Sequence, residues 1–533
     1  MLFITFLIAI GVAAAATVQN DYMVLNNQEV PPVLPFKRVN VTAHDGIILE
    51  AILVTGTCLR AACPGIVFIS SWGLNKYEYV YPALEYYKRG YNVLSYTSRG
   101  FWGSSQRHDL PGGQIELAGA DDIADVSTMI DYLLANSKTD VKKIGLSGIS
   151  YGGGLSLLGA ANDARVKAAI AMSCWVNLPQ SFFGYGGTIR TAVSTDLDSL
   201  AKLTGTESEK LIYLFENYAK RENIPELLAI VKGSSPLPYL PSINAQKPAI
   251  FIANAYSDSI FTPNQFPPFF NNLADDVPKH IEFAPGDHAG PELAGLFPEI
   301  TNVTSKAFRY GGGVWDRAFL WADAYVKDYD NTVKSGTPVL PTVILDRLGS
   351  NNTLDAYNSL DEMSTSKLRL HLVKRGKLMP YDPEIVRHGS ELASLTTGKG
   401  VNVKGGIAIF SATFHAYLDD NSRAFVMREL DETYGAFFLT PLWDDNKTRR
   451  VRGTVSVDLN VQVSAPIGLL VAYALDCDRS GEVCHLISFA PYTYTEGGFG
   501  GDLGNTHSPV LTTYYYHVCV PYVCVPCDCT LPI

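Results

Sequence analysis

The run Lys143-Ile144-Gly145-Leu146-Ser147-Gly148-Ile149-Ser150-Tyr151-Gly152-Gly153-Gly154-Leu155-Ser156-Leu157-Leu158 passes from an apolar strand, through a tight turn, into a helix of small residues. Ser150 sits at the tip of that turn. A strand can reverse into a helix this sharply only where the crowded positions lack a Cβ, which Gly148 and Gly152 provide. The reversal leaves a serine hydroxyl exposed on a strained elbow, with the Tyr151 backbone N-H facing the place where an oxyanion would form. G-x-S-x-G is short enough to arise by chance. It carries weight here because a strand precedes it and a helix follows it.

The rest of the chain fits around such an elbow. Arg38 to Val54 alternates in period two around Asp45-Gly46 and predicts a hairpin. Gly65-Ile66-Val67-Phe68-Ile69 and Tyr91-Asn92-Val93-Leu94-Ser95-Tyr96 predict buried strands, with helices through Pro82–Lys88 and Ala120–Asn136 between and after them. Strands alternating with helices imply a parallel α/β sheet whose chemistry lies at the carboxyl ends of the strands, which puts Ser71-Trp72, Arg99 and Ser150 on one rim. From about 175 to 245 the alternation breaks, and a helical pattern interrupted at Pro225 predicts an inserted cap. Strands resume at Lys247–Asp258 and Lys279–Ala284, and a helix from Trp315 to Tyr329 closes a domain spanning 36–335. From 336 to 533 short alternating segments with Gly, Asp and Asn turns predict an all-β jelly roll or sandwich.

A serine needs a base to take its proton and a carboxylate to orient that base. Asp258 directly follows one apolar strand. His288 follows the next, in Pro285-Gly286-Asp287-His288-Ala289-Gly290, where glycines let a loop swing back over the serine. Ser150, Asp258 and His288 stand in the chain order of an α/β-hydrolase. Asp287 is a rival acid, although neighbouring side chains on a loop usually diverge. A tetrahedral intermediate needs a second donor besides the Tyr151 amide, since one such bond is worth about 3 kcal/mol. A backbone N-H near Trp72 is the expected source. Trp102, Trp175, Phe182 and Phe183 are the aromatic candidates for an apolar substrate pocket.

With 42 Lys and Arg against 53 Asp and Glu, the net charge of −11 would repel nucleic acid and anionic membranes. Residues 1–16 form an apolar run ending in alanines, as a secretory signal does, and are shorter than the roughly 20 residues of a spanning helix. Nine cysteines fit an oxidising compartment. Cys58 with Cys63 and Cys477 with Cys484 bracket short loops and are expected disulfides, while Cys174 lies in an apolar strand as a buried thiol. The tail cysteines Cys519, Cys524, Cys527 and Cys529 could pair with one another or bind zinc; their spacing favours disulfides. Sequons at Asn40, Asn302, Asn351 and Asn446 would accept glycans on an exported chain.

These segments together resemble the X-Pro dipeptidyl-peptidase and cocaine-esterase family of α/β-hydrolases. The resemblance rests on Gly148-Ile149-Ser150-Tyr151-Gly152-Gly153, Ser98-Arg99-Gly100-Phe101-Trp102-Gly103-Ser104, Asp258 with Phe261-Thr262-Pro263, Gly286-Asp287-His288 and Trp315-Asp316. It implies a hydrolase domain with a helical cap inserted before the acid strand, a C-terminal jelly roll, and Ser150, Asp258 and His288 as nucleophile, acid and base. Two positions depart from the family's pattern. Where it carries a Pro-Tyr pair whose hydroxyl serves the oxyanion hole, this chain has Ser71-Trp72, so the donor is a backbone amide or another group such as Tyr77. Fewer than about 25 residues separate the expected signal from the first strand, which fits the shorter esterase-like layout better than the dedicated dipeptidases.

The expectation is therefore a secreted serine hydrolase that cleaves an ester or amide, an acyl ester or an X-Pro peptide bond, through an acyl-enzyme. Its partner is a small ester or short peptide. No metal, organic cofactor, nucleic acid or membrane beyond the signal is expected, and a homo-oligomer is compatible with this. The competing expectation is a catalytically weak secreted binding protein that works through the jelly roll.

Overall fold

The computed structural model describes residues 36–363, except 57, 59–61, 107–110, 185–187, 257, 297–312 and 347–353, together with isolated strands outside that span. The hairpin forms as its pattern predicts. β1 (Phe36–Thr42) and β2 (Ile48–Val54) pair antiparallel with Thr42 opposite Ile48. Gly46 turns the chain at a φ of +87°, a conformation that a side chain would strain.

Eight further strands complete one sheet: β3 (Cys63–Ile69), β4 (Asn92–Tyr96), β5 (Thr139–Ile149), β6 (Val166–Met172), β7 (Ala249–Ala255), β8 (Lys279–Ala284), β9 (Val343–Asp346) and β10 (Leu354–Tyr357). Their order is β10-β9-β8-β7-β6-β5-β3-β4-β2-β1. β3 to β9 run parallel through the middle of the sheet. Every residue of β3, β4 and β7 is buried, which explains their unbroken apolar runs: each face of a parallel strand packs under helices. Within β3, Ile66 and Phe68 face one core and Val67 and Ile69 the other. The first core is closed by α1 (Val80–Lys88) through Ala83 and Tyr86, and the second by α2 (Ala120–Asn136) and α3 (Tyr151–Asn162).

Between β6 and β7 the expected cap folds, among the described residues, as five α-helices: α4 (Leu178–Phe183), α5 (Thr191–Thr204), α6 (Glu209–Lys220), α7 (Ile224–Gly233) and α8 (Leu240–Gln246). Pro225 does not interrupt a helix. It lies in the first turn of α7, where the missing N-H costs nothing. Backbone bonds stitch the cap to the rim: Thr206 N-H donates to Gly100 O (3.0 Å) and Ile115 N-H to Thr206 O (2.7 Å). After the site helix α9 (Gly290–Leu296), the helix expected over Trp315–Tyr329 divides into α10 (Val314–Ala322), a π-turn over Asp323–Lys327 and α11 (Tyr329–Ser335).

The sheet continues past the expected boundary at 335. β9 pairs parallel with β8, Val343 opposite Ile281, and β10 pairs antiparallel with β9, so the first strands of the supposed second domain belong to the same sheet. Farther on, antiparallel pairing joins Val455–Val461 to Tyr514–Val520 and Ile467–Cys477 to Val483–Thr495. The remainder of the expected jelly roll lies outside the described residues. Cys58 and Cys63 form a disulfide, and Cys174 is a buried free thiol. Cys477 and Cys484 stand opposite each other in strand register. Asn40 is exposed on β1. The signal segment and the sequons at Asn302, Asn351 and Asn446 fall outside the described residues.

Candidate active site

β5 delivers its last residue, Ile149, to the rim, and α3 starts at Tyr151, leaving Ser150 alone in the elbow with φ +55° and ψ −116°. Such backbone is costly for a residue with a Cβ and persists only where surrounding structure enforces it. The enforcement is visible: Ser150 N-H donates to Met172 O (2.8 Å), and Gly154 N-H donates to Ser150 O (3.0 Å). A Cβ at Gly152 would lie 2.0 Å from Ile69 O, and one at Gly148 would lie 2.5 Å from the Gly152 carbonyl carbon, so the turn closes only with both glycines.

Two strand ends bring the partners. His288, in the loop after β8, places Nε2 2.8 Å from Ser150 Oγ and Nδ1 3.0 Å from Asp258 Oδ2. Asp258, in the loop after β7, is fixed through Oδ1, which accepts the N-H groups of Ile260 (2.9 Å) and Phe261 (2.7 Å). The rival acid Asp287 points elsewhere, its Oδ1 accepting the Ser259 and His288 amides at 2.7 Å each. Burial disfavours charge on the His288 imidazole, but the Asp258 charge and hydrogen bond outweigh it and hold the pKa above the usual imidazole value. A hydroxyl, an imidazole and a carboxylate in this sequence can move a proton from oxygen to nitrogen and stabilise the cation that results.

Among the described residues neither the Tyr151 nor the Trp72 amide has a protein acceptor, so both remain available for an oxyanion. The Trp72 turn is pinned beside the elbow. Ser71 Oγ lies 2.9 Å from Ile149 O and 2.6 Å from Glu78 Oε1, while Ser71 N-H donates to Glu78 Oε2 (2.7 Å). Burial raises the Glu78 carboxyl to about 7. Tyr77, the other expected donor, stands in the fields of Arg38 and Glu50 and does not line the cavity over Ser150.

That cavity contains about 600 Å³ of empty space, part of it open to solvent, and is walled by Trp72, Trp175, Phe182, Phe215 and Phe261 among others. Two expected pocket residues lie elsewhere. Trp102 is not in the wall, because its indole N-H is spent on Gly73 O (2.8 Å) in the turn below. Phe183 is not in the wall either; it packs behind it against Tyr218, ring centroids 5.3 Å apart. Arg99 leaves the rim for Asp125, with Nη2 2.7 Å and Nε 2.9 Å from its carboxylate oxygens.

Three groups escaped the sequence reading. Glu78 supports the Trp72 turn. Glu292, on α9, lies under the histidine loop with its carboxyl oxygens 3.0 and 3.1 Å from Ser173 Oγ, which accepts the Ala289 N-H (3.1 Å); burial raises this carboxyl to about 8. Arg190 joins the cavity wall from the start of α5. Each is a lone charge in an unpatterned stretch, and no motif separates such a residue from a solvated one.

Residues 45–290 match the family model described as X-Pro dipeptidyl-peptidase (S15 family). Among solved structures, a CocE/NonD family hydrolase from Staphylococcus aureus shares 11% identity, covering 92% of this chain and 83% of its own, with a TM-score of 0.58. An alpha-amino acid ester hydrolase is similar at 13% identity, covering 92% and 86%, with a TM-score of 0.56. An aminopeptidase from a marine sediment Thaumarchaeota archaeon shares 12% identity over 96% and 90%, with a TM-score of 0.54. These likenesses are to the fold. No curated protein matches the chain. The chain is a serine hydrolase whose residues 45–290 match the X-Pro dipeptidyl-peptidase (S15) family.

Proposed function

We propose that this hydrolase cleaves a small ester or amide through an acyl-enzyme on Ser150. The observation that carries the reading is the hydrogen-bonded line from Ser150 Oγ through His288 to Asp258. Ser150 Oγ attacks the carbonyl carbon as its proton passes to His288 Nε2. The oxyanion gathers on the Tyr151 and Trp72 amides. Collapse breaks the bond to the leaving oxygen or nitrogen, which takes the proton from Nε2. Water then repeats the sequence against the acyl-enzyme and frees Ser150. Asp258 keeps Nδ1 protonated and balances the imidazolium.

An aromatic-walled cavity above the serine favours an apolar portion of the substrate at the reacting carbonyl. Export of the protein is part of the proposal and is supported by the Cys58–Cys63 disulfide and the exposed sequon at Asn40. A jelly roll after the hydrolase sheet is likewise proposed, supported by antiparallel strands beyond residue 363. The test is turnover of 4-nitrophenyl acyl esters beside X-Pro 4-nitroanilides. At least one class should be cleaved, and Ser150→Ala should lose about a millionfold in kcat. Failure with both classes, or a Ser150→Ala variant as active as the parent, would falsify the reading.

A further inference from the structure

The cavity over Ser150 is mostly apolar, with the hydroxyls of Ser150, Ser181, Ser194 and Tyr218 in its lining, and among the described residues its one charged lining side chain is Arg190. It stands where the cap re-enters the chain at the start of α5, on the side of the cavity formed by the loop that holds Asp258. Nη1 donates to Ser259 O (2.7 Å) and Ile260 O (3.0 Å), which orients the guanidinium plane. Those two carbonyls use one of its three nitrogens. Nε and Nη2 find no acceptor among the described residues, and no carboxylate lies within ion-pair distance. Asp258 and Asp287 act on it only through longer-range charge, and the Tyr218 hydroxyl, which accepts the Arg190 N-H (2.8 Å), is neutral.

A guanidinium walled by aromatic rings without a counter-ion is costly, and the balance is restored when an anion enters. Burial alone pulls its pKa down, in the direction expected of an uncompensated cation, although arginine stays charged at neutral pH. The planar fork with two free donor edges matches a carboxylate. Arg190 is only partly buried and its Nε and Nη2 are not sealed from solvent, so a carboxylate entering the cavity can take the place of water on both.

Resting on the serine hydrolase reading above, we infer that Arg190 is a specificity residue that binds a carboxylate carried by the substrate, separated from the scissile carbonyl by an apolar stretch. The substrates favoured are thus monoanionic esters or amides. The carboxylate belongs either to the acyl group, as in a dicarboxylic half-ester, or to the leaving group.

The test compares charged and neutral members of two matched pairs. Mono-4-nitrophenyl glutarate is set against its terminal amide for the acyl side, and 4-acetoxybenzoate against 4-acetoxybenzamide for the leaving-group side. A charge-assisted bond to a partly buried guanidinium should raise kcat/KM for the carboxylate by at least about tenfold in one pair. Arg190→Met should bring that ratio to about one whatever happens to the absolute rates, and Arg190→Lys should keep part of it. A parental ratio of one or less in both pairs overturns the proposal, as does a ratio that Arg190→Met leaves unchanged. Should neither pair turn over, the hydrolase reading is still decided by the acyl esters and X-Pro anilides above, and calorimetry of hexanoate against hexanamide decides for Arg190. Tighter hexanoate binding lost in Arg190→Met supports it, and equal or weaker binding overturns it. Should Arg190→Met not fold, the parent and Arg190→Lys decide alone.

Discussion

At the scale of single residues, the site is a set of competing electrostatic demands. In the proposed mechanism His288 must be neutral to accept the Ser150 proton, yet Asp258 favours its charged form more than burial opposes it. The acid limb of kcat/KM for a neutral ester should therefore rise with pH about a midpoint above the ordinary imidazole value of about 6.5. Asp258→Asn removes the largest stabilising charge and leaves desolvation opposed only by the weaker charges of Asp287 and Glu292, so its midpoint should fall while kcat drops by about 10⁴. A pH-rate profile of both proteins checks the pair of shifts, and a midpoint that moves upward in the variant would contradict the assignment. Ser150, Asp258 and His288 were legible in the sequence because each sits at the end of an apolar strand beside glycine or a turn residue. Arg190 was not, because the pocket that gives it meaning is assembled from the cap and the ends of β3, β5, β6 and β7, which only the fold brings together.

At the scale of elements, the reactive loops are held from below by buried carboxyls. Glu292 on α9 reaches Ser173 at the end of β6, and Ser173 in turn receives Ala289 beside the base, so helix, strand and histidine loop share one hydrogen-bond cluster. Its carboxyl pKa is raised from the ordinary 4.5 to about 8, so the folded protein binds this proton more tightly than the unfolded chain. Stability from this group is therefore complete below about pH 4.5 and falls as pH rises to about 8, by on the order of a few kcal/mol. Glu292→Gln keeps a neutral hydrogen-bonding side chain and should flatten that decline between pH 5 and 8, as read by urea unfolding. An equal decline in both proteins would show that the carboxyl does not hold the proton. The β3-to-β8 strands and the cap were readable from apolar runs and their interruption. The division of the Trp315–Tyr329 helix was not, since Asp323 is drawn to Arg89 (2.7 Å) and Tyr91 (3.0 Å) on distant elements.

At the scale of the whole molecule, one ten-stranded layer carries the chemistry along a single edge. The expected boundary at 335 failed because β9 and β10 lie after a helix and look, in sequence, like the short alternating strands that follow them; only pairing with β8 shows where they belong. The same layer places β5, β6, β7 and β8 side by side, so the elbow, the Glu292 cluster, Asp258 and His288 occupy consecutive strand ends. Everything claimed for function depends on Ser150 being the activated atom of that edge. The most direct measurement is reaction with a fluorophosphonate probe followed by peptide mass spectrometry. One adduct, on Ser150, is expected, forming faster as His288 deprotonates and lost in Ser150→Ala; an unlabelled protein, or an adduct on another residue, would contradict the account.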